Sequence, residues 1–172
     1  RMSSTDDRFI EIDRSFTLFV TSGIGSADTI NSATLGLVTN ATYTGFSDSI
    51  SMVETNPASS TALATGDYAL ARSQVSDAKQ AADVAVTSFS ADDSTYDSFT
   101  LNATGLGNIS KTGVSKFGFK NLTDFSDSEP SSVSGAASAG IIWYCADYTG
   151  TSRDPKLTVI HAGPFTPRVM MF

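Results

Sequence analysis

The stretch from Gly140 to His161, GIIWYCADYTGTSRDPKLTVIH, decides the fold that we expect. It begins with an apolar and aromatic run, Ile141 to Cys145, which is typical of a strand packed into a core. A segment rich in Gly, Ser and Asp follows, and this composition predicts a turn. Lys156 to His161 then alternates between apolar and polar residues, as a half-buried strand does. Pro155 stands at the start of that second strand, where a missing N–H costs least. The stretch therefore predicts two strands and their connection.

Composition extends this interpretation to the whole chain. The 172 residues suit one domain with its own core. Charged residues are only 17%, the chain is rich in Ser and Thr, and strand-forming residues are spread evenly, which favours an all-β fold. The net charge of −7 argues against a nucleic-acid partner, because phosphate binding needs clustered Lys and Arg. No run approaches the roughly 20 apolar residues of a membrane span.

Alternating segments recur along the chain and predict about eight strands, the number found in a jelly roll. Besides the two strands described above, they are residues 8–20 (one long strand or a bent pair), 29–38, 49–54, 83–89, 96–101 and 114–121. Residues 56–80 lack clean alternation and predict one or two short helical turns, and residues 103–110 predict a helical turn. Residues 40–47 and 123–139 predict loops. We therefore expect an all-β, two-sheet antiparallel jelly-roll sandwich with one or two short helical turns, spanning residues 1–161.

The two ends of the chain differ in character. The first seven residues are polar, and we expect them to be loose. Residues 162–172, AGPFTPRVMMF, predict an extended hydrophobic tail, because two prolines disfavour regular structure. Large apolar side chains there should not remain in water, so we expect them to pack on another subunit or a neighbouring module. These predicted assembly residues are Phe165, Val169, Met170, Met171 and Phe172.

Three pieces of the chain resemble a known family of modules. Asp154, Pro155, Leu157 and Val159 match its closing D-P-x-L-x-V pattern. RSFTLFV, at 14–20, stands where the family has an R-x-x-L-x-F strand, and the I-x-S-A-x-L-x-L pattern that follows it in the family matches Ile30, Ser32, Ala33, Leu35 and Leu37. NATGLGNISKTGVSKFGF, at 102–119, resembles the family's middle. The chain thus resembles β-jelly-roll, carbohydrate-binding-like modules of the DNRLRE type, found in prokaryotic surface proteins and phage structural proteins. The resemblance covers most of residues 8–161, and its motifs are structural rather than catalytic.

One departure from that family concerns the N-terminal side. Members usually carry a further strand or two before the R-x-x-L-x-F piece, where this chain has only a short segment. Either residues 8–13 supply the strand or the strand is missing. A missing strand would leave an open sheet edge, which invites strand addition from a partner.

Catalytic chemistry finds little support in the sequence. His161 is the only histidine and no G-x-S-x-G frame is present, so a Ser-His-Asp triad is disfavoured. One His and one Cys also disfavour zinc. Acidic residues cluster in two predicted loops, at Asp92, Asp93 and Asp97 and at Asp124, Asp127 and Glu129. A glycosidase could use such a pair, but turn residues are usually solvated. We expect no enzymatic activity and no cofactor, with calcium on Asp92, Asp93 and Asp97 as the one possible metal.

Exposed aromatic rings are what a sugar-binding module of this kind would use for stacking. The candidates are Tyr43, Tyr96, Trp143, Tyr144 and Tyr148, with Phe46 beside them. Cys145, the only cysteine, is expected to be buried as a small apolar residue, with an intermolecular bridge as the alternative. Four N-x-[ST] sequons begin at Asn40, Asn102, Asn108 and Asn121, and they would matter only in a host that glycosylates.

Two functions follow as expectations. The first is a non-enzymatic structural or adhesive module of a virion or cell-surface assembly, such as a phage capsid decoration or fibre protein. It would self-associate or join a larger protein through its tail and an open sheet edge. The alternative is a carbohydrate-binding module attached to a secreted glycan-active enzyme. Both place the protein outside the cell or on a virion surface.

Overall fold

The computed structural model describes residues 2–5, 8–70, 78–130, 133 and 135–164. Its described part contains ten strands: β1 (Met2–Thr5), β2 (Arg8–Ile12), β3 (Ser15–Val20), β4 (Thr29–Thr44), β5 (Ser49–Glu54), β6 (Val84–Ala85), β7 (Tyr96–Thr100), β8 (Val114–Asn121), β9 (Ala137–Trp143) and β10 (Lys156–Ala162). The helices are single turns: α1 (Asp67–Leu70), α2 (Ala103–Gly107), α3 (Leu122–Phe125) and a 3-10 turn at Val86–Ser88.

The strands form two antiparallel sheets. One has six strands in the order β10-β4-β9-β1-β2, with β7 also paired to β4, and the other has the order β3-β8-β5-β6. Successive strands from β3 to β5 and from β6 to β9 cross between the sheets, as in a jelly roll. The predicted all-β, two-sheet antiparallel sandwich with short helical turns is confirmed.

The long strand β4 organises the six-stranded sheet. Its N-terminal half pairs with β10 and β7, with Leu35 opposite both Leu157 and Phe99. Its C-terminal half pairs with β9, from Thr39 opposite Trp143 to Thr44 opposite Ala139. The loop expected at 40–47 was therefore partly wrong, because pairing with β9 keeps the chain extended through a Ser/Thr/Asn-rich stretch that has no strong strand signal.

The core lies between the sheets and both contribute to it. Leu35 and Leu37 of β4 face Met52 and Phe117 of the other sheet, and all four have no exposed surface. Aromatic rings continue the contact: Phe99 lies 5.3 Å from Phe119, whose ring lies 6.2 Å from that of Trp143 (centroid distances). Each such buried side chain contributes about 1.5–3 kcal/mol through removal of apolar surface from water.

Each sheet also has a covered stretch on its outer face. Four consecutive residues of β5, from 50 to 53, are buried, and so are five consecutive residues of β4, from 35 to 39. Since neighbouring side chains on a strand point to opposite faces, burial of a whole run means that both faces are covered. Residues 55–70 and 78–83 supply the cover on the four-stranded sheet, where Lys116 Nζ donates to Asn56 Oδ1 at 2.8 Å and Ser51 Oγ to Asp83 Oδ1 at 2.8 Å. The loop 144–155 supplies it on the other sheet.

Several boundaries differ from the prediction. Residues 8–20 form two strands, β2 and β3, which belong to different sheets. The N-terminal segment predicted to be loose contains β1, which pairs with β2 on one side and β9 on the other. Two strands, β1 and β2, therefore precede the segment that begins at Arg14, and residues 8–12 form the second of them. The predicted loop at 123–139 contains α3 and the start of β9.

Two further findings concern the ends and the membrane. The five predicted assembly residues of the tail lie outside the described residues, and so do residues 71–77 of the predicted helical region. Among the residues that the structure describes, no helix combines the length and the hydrophobicity of a membrane crossing.

Candidate functional site

The five predicted glycan-stacking residues occupy different environments. Tyr43, Tyr96, Trp143 and Tyr144 are half-buried, and Tyr148 is 48% exposed. Trp143 packs edge-on against the core residue Phe119. Tyr144 and Tyr148 form a T-shaped pair with centroids 4.6 Å apart. The rings are therefore engaged in separate contacts rather than arranged as one flat platform.

Tyr96 holds the loop 144–155 against the sheet. Its hydroxyl donates to the carbonyl oxygens of Asp154 at 2.9 Å and Ser152 at 3.1 Å. Its ring lies so close to Gly36 on β4 that a Cβ atom there would come within 2.9 Å of it. Gly36 is thus required for close approach of the ring, and Tyr96 serves as a structural clamp.

A second set of contacts, which we call the loop latch, consists of Tyr144, Tyr148, Arg153, Asn40 and Asp93. The Arg153 guanidinium lies 4.7 Å from the Tyr144 ring centre and 5.5 Å from that of Tyr148. Asp93 Oδ1 accepts from the Tyr144 hydroxyl at 2.9 Å and from Asn40 Nδ2 at 2.8 Å. These two hydrogen bonds hold the pKa of Asp93 below its usual value, and the bond to Asp93 raises the pKa of Tyr144. The latch ties the loop to β4 and to the turn before β7.

The turn that presents Asp93 has an unusual backbone. Asp93 has φ 62° and Ala91 has φ 48°, the left-handed conformation that residues with a Cβ rarely adopt. Asp92, between them, accepts from the Thr95 hydroxyl at 2.6 Å and from the backbone N–H groups of Thr95 and Ser94. These donors lower the pKa of Asp92 far below its usual value. The side chain of Asp92 therefore closes this turn.

The three carboxylates nominated for calcium do not share a site. Asp92 is used by its own turn and Asp93 by the latch, while Asp97 accepts from Ser90 and from the Thr39 hydroxyl at 2.9 Å. Within the described ranges, no three His, Cys, Asp or Glu residues are grouped closely enough to hold a metal ion. The geometry thus gives the calcium hypothesis no support.

The structure also places His161, the only histidine, and Cys145, the only cysteine. His161 Nδ1 lies 2.6 Å from Asp28 Oδ2, which ties the end of β10 to the loop before β4. Cys145 is exposed, so its predicted burial was wrong. The reason is that β9 ends at Trp143, and the apolar run leaves the sheet two residues before the cysteine.

A cavity of about 330 Å³ opens between the two sheets, and we take it as the candidate functional site. Its wall is mainly apolar with a few polar and charged side chains, which is the usual make-up of a small-molecule site. The lining residues are Asp13, Arg14, Ser15, Ile50, Phe119, Lys120, Asn121, Ile141, Ile142 and Trp143. Trp143 is the only one of the five predicted stacking residues that lines it.

A buried charge cluster stands at one side of this cavity. Arg14 Nε and Nη2 donate to the two oxygens of Asp124 at 2.7 and 2.6 Å, and both side chains are only 6% exposed. The hydrogen bond to Asp124 raises the pKa of Arg14. Arg14 also donates to the Tyr68 carbonyl at 3.0 Å and lies 4.3 Å from the centre of the Tyr68 ring. Lys120 Nζ, fully buried, is 3.9 Å from the same Asp124.

Sequence reasoning did not identify Arg14, Lys120 or Asn121 as site residues. Arg14 was seen only as part of a strand and of the family resemblance, and Asn121 only as the end of a strand and as a sequon, although it is 1% exposed. The sequence signal for this site was that two polar residues, Lys120 and Asn121, end a strand whose other residues include the core candidates Phe117 and Phe119. That signal cannot distinguish a solvated strand end from a buried site, because the distinction depends on α3 folding over it.

Comparison with known proteins does not identify the family. No protein-family model matches the chain, and no curated protein or solved structure matches it significantly.

Proposed function

We propose that this chain is a non-enzymatic structural or adhesive module of a virion or cell-surface assembly, which associates through its sheet edges. The observation that carries the proposal is the set of residues exposed on the outermost strands. Ile10 on β2 is 62% exposed, Val20 on β3 is 82% exposed and Ile160 on β10 is 60% exposed. Each of these strands lies at one end of its sheet within the described part of the chain.

Edge strands carry backbone N–H and C=O groups that a further strand can bind. Soluble proteins usually protect such edges with charged residues, proline or bulges. Here three edges carry a large β-branched residue that favours strand pairing instead. Two further observations support association: the chain resembles phage and surface modules, and its apolar tail contains Phe165 and Phe172. The non-enzymatic part rests on the engagement of His161 with Asp28 and of the loop carboxylates with structural partners.

The test measures native mass by light scattering for the full chain and for a chain lacking residues 162–172. We expect an oligomer for the full chain and a smaller species without the tail. Ile10→Lys should also reduce the mass, because a charge on the edge opposes pairing. Leu63→Lys is the matched control, since Leu63 is equally exposed at 62% but lies outside any strand. A monomeric full chain would contradict the proposal.

A carbohydrate-binding module is the second candidate, and the exposed Tyr148 favours it. Its ring is 48% exposed beside Arg153, which donates to the Tyr148 hydroxyl at 3.4 Å. The amide of Asn40 and the carboxylate of Asp93 lie in the same latch, and such groups bind sugar hydroxyls. A glycan array would test it: binding that is lost in Tyr148→Ala and kept in Tyr68→Ala, another exposed tyrosine, supports this candidate. Absence of binding by the wild type argues against it.

A further inference from the structure

The cavity between the two sheets is large enough to take apolar side chains. Ile50 and Phe119 line it from the four-stranded sheet, and Ile141 and Trp143 line it from β9 of the other sheet. Since a cavity of about 150 Å³ holds a benzene ring, a volume of about 330 Å³ has room for about two large side chains. Filling it would remove apolar surface of both partners from water, which favours association.

The charged groups in and beside the cavity wall leave one negative charge uncompensated. Arg14 is paired with Asp124, and Lys120 Nζ lies 3.9 Å from the same carboxylate. Asp48 accepts hydrogen bonds from neutral groups. Asp13, which also lines the cavity, is exposed and forms no ion pair or hydrogen bond with any residue that the structure describes. Among these five groups, three carboxylates stand against two cations, so a further cation beside Asp13 would be attracted.

The C-terminal tail of the sequence carries the matching chemistry. Its residues 165–172, FTPRVMMF, lie outside the described residues. Residues 169–172 are all large and apolar, and two of them are methionines, whose flexible side chains fill irregular spaces. Arg168, directly before them, is the only charged residue of the tail. With residues 169–172 inside the cavity, Arg168 would remain at its opening, where Asp13 lies.

The direction of β10 decides which copy of the cavity the tail can reach. Ala162, at the end of β10, pairs with Thr29, whereas the lining residue Ile142 pairs with Ala41. Those two positions of β4 are about 40 Å apart in an extended strand, and β10 runs away from the cavity. Ten residues beyond Ala162 span at most about 36 Å, and this chain would first have to reverse. The tail is therefore too short for its own cavity.

We propose that residues 169–172 of one copy fill the cavity of a second copy, with Arg168 paired to Asp13 at its opening. This docking rests on the proposed function, in which the tail is an assembly element, and it names the place where the tail binds. Each copy donates one tail and accepts one, so a symmetric pair of copies satisfies both contacts.

An exchange of charges on the full chain tests this pairing. Asp13→Lys and Arg168→Glu each replace an attraction by a repulsion, and we expect either change to weaken self-association about threefold to tenfold in sedimentation equilibrium. An equimolar mixture of the two variants should recover association, because the exchanged charges attract between chains. Asp13 has no partner to lose, so its variant should fold normally. Asp147→Lys, at an exposed loop residue, makes the same change in net charge and should leave association unchanged.

The outcomes separate this docking from the assembly itself. A full chain that associates equally well with and without the two changes would overturn the docking and leave the proposed assembly standing. A wild type that stays monomeric at every concentration would contradict both.

A second measurement places the contact in the cavity. Trp143 is the only tryptophan of the chain and lines the cavity, so quenching of its fluorescence by acrylamide reports whether the cavity is filled. We expect quenching to weaken as the wild type is concentrated, and Arg168→Glu to need a higher concentration for the same protection. A rising mass with unchanged quenching would place the contact elsewhere. Protection that is independent of concentration but lost in Arg168→Glu would mean that the tail fills its own cavity, and it would overturn the second copy as the partner.

Discussion

Two connections cover the outer faces of the two sheets, and they are anchored differently. On the four-stranded sheet, residues 55–70 are tied down by a buried ion pair: the Arg14 guanidinium, which is paired with Asp124, also donates to the Tyr68 carbonyl. The 144–155 loop is tied down near the surface by the latch and by Tyr96. Removing one partner of a buried ion pair is costly, because the other charge stays buried without its partner. Exposed stacking contacts, in contrast, are weak and reversible. The comparison suggests a firm cover on one sheet and a more adaptable one on the other.

The largest effect should come from breaking the firm cover. Arg14→Met leaves the buried Asp124 without its bidentate partner, and we expect the free energy of unfolding to fall by about 3 kcal/mol or more. Urea denaturation measures it. Arg8→Met, at an exposed arginine of β2, is the control and should change little. A loss below about 1 kcal/mol would mean that the ion pair does not anchor this connection.

A smaller loss is expected from loosening the 144–155 loop at its clamp. In Gly36→Ala the new methyl group would lie within 2.9 Å of the Tyr96 ring, which must move and release Ser152 and Asp154. We expect a loss of about 1–3 kcal/mol in the same denaturation experiment. Gly23→Ala, where no atom lies within 4 Å of the added carbon, is the matched control. Equal effects of the two changes would exclude the clamp.

Acid should weaken both covers through carboxylates of lowered pKa. Asp67 accepts from the N–H of Ala64 and of Ala58, and these bonds lower its pKa from 3.8. A lowered folded-state pKa stabilises the protein above the unfolded value, and this stability is lost as the pH falls through the folded pKa. The difference in denaturation midpoint between wild type and Asp67→Asn should therefore be full at neutral pH and shrink below 3.8. The midpoint difference between the wild type and Asp93→Asn, in the latch of the other cover, should shrink in the same way as the pH falls. A midpoint difference that stays constant with pH would contradict the role of these carboxylates.

The smallest effect is expected from Arg153→Ala in the loop latch. An exposed cation–π contact contributes about 0.5–1 kcal/mol, so stability should fall by no more than that. Hydrogen exchange should nevertheless speed up in the loop, for instance at the Tyr148 N–H, which donates to the Cys145 carbonyl. Lys156→Ala, at an exposed residue of β10, should leave that exchange rate unchanged. Unchanged exchange in Arg153→Ala would show that the latch does not hold the loop.

Much of the fold was predictable because strand signals are local. β5 was predicted at 49–54 and β8 at 114–121, and both have those bounds. β10 was predicted at 156–161 and ends one residue later, while its start follows Pro155 as predicted. Predictions failed at β1 and in the second half of β4, where polar sequence is held extended by β9. They also failed at 83–89, where only Val84–Ala85 forms a strand and Val86–Ser88 forms a 3-10 turn. The predicted burial of Cys145 was wrong for a related reason, because the end of a strand depends on where the neighbouring strand ends.

The candidate site was less predictable than the fold. The aromatic residues were chosen by type, and only Trp143 proved to line the cavity. Arg14 and Asp124 are 110 positions apart, and they meet because β3, which follows Arg14, pairs with β8, which α3 follows. Their pairing is therefore a long-range contact that no spacing in a single sequence expresses.

By itself, the sequence determined that the chain is an all-β sandwich and where most strands and turns lie, because alternation, Gly and Pro act on near neighbours. The tertiary structure alone decided which sheet each strand joins, that stretches of β4 and β5 are buried on both faces, and that a cavity remains between the sheets. Those features depend on which distant segments cover which surface. The free energy of that choice lies in packing across the whole molecule rather than in any local run of residues.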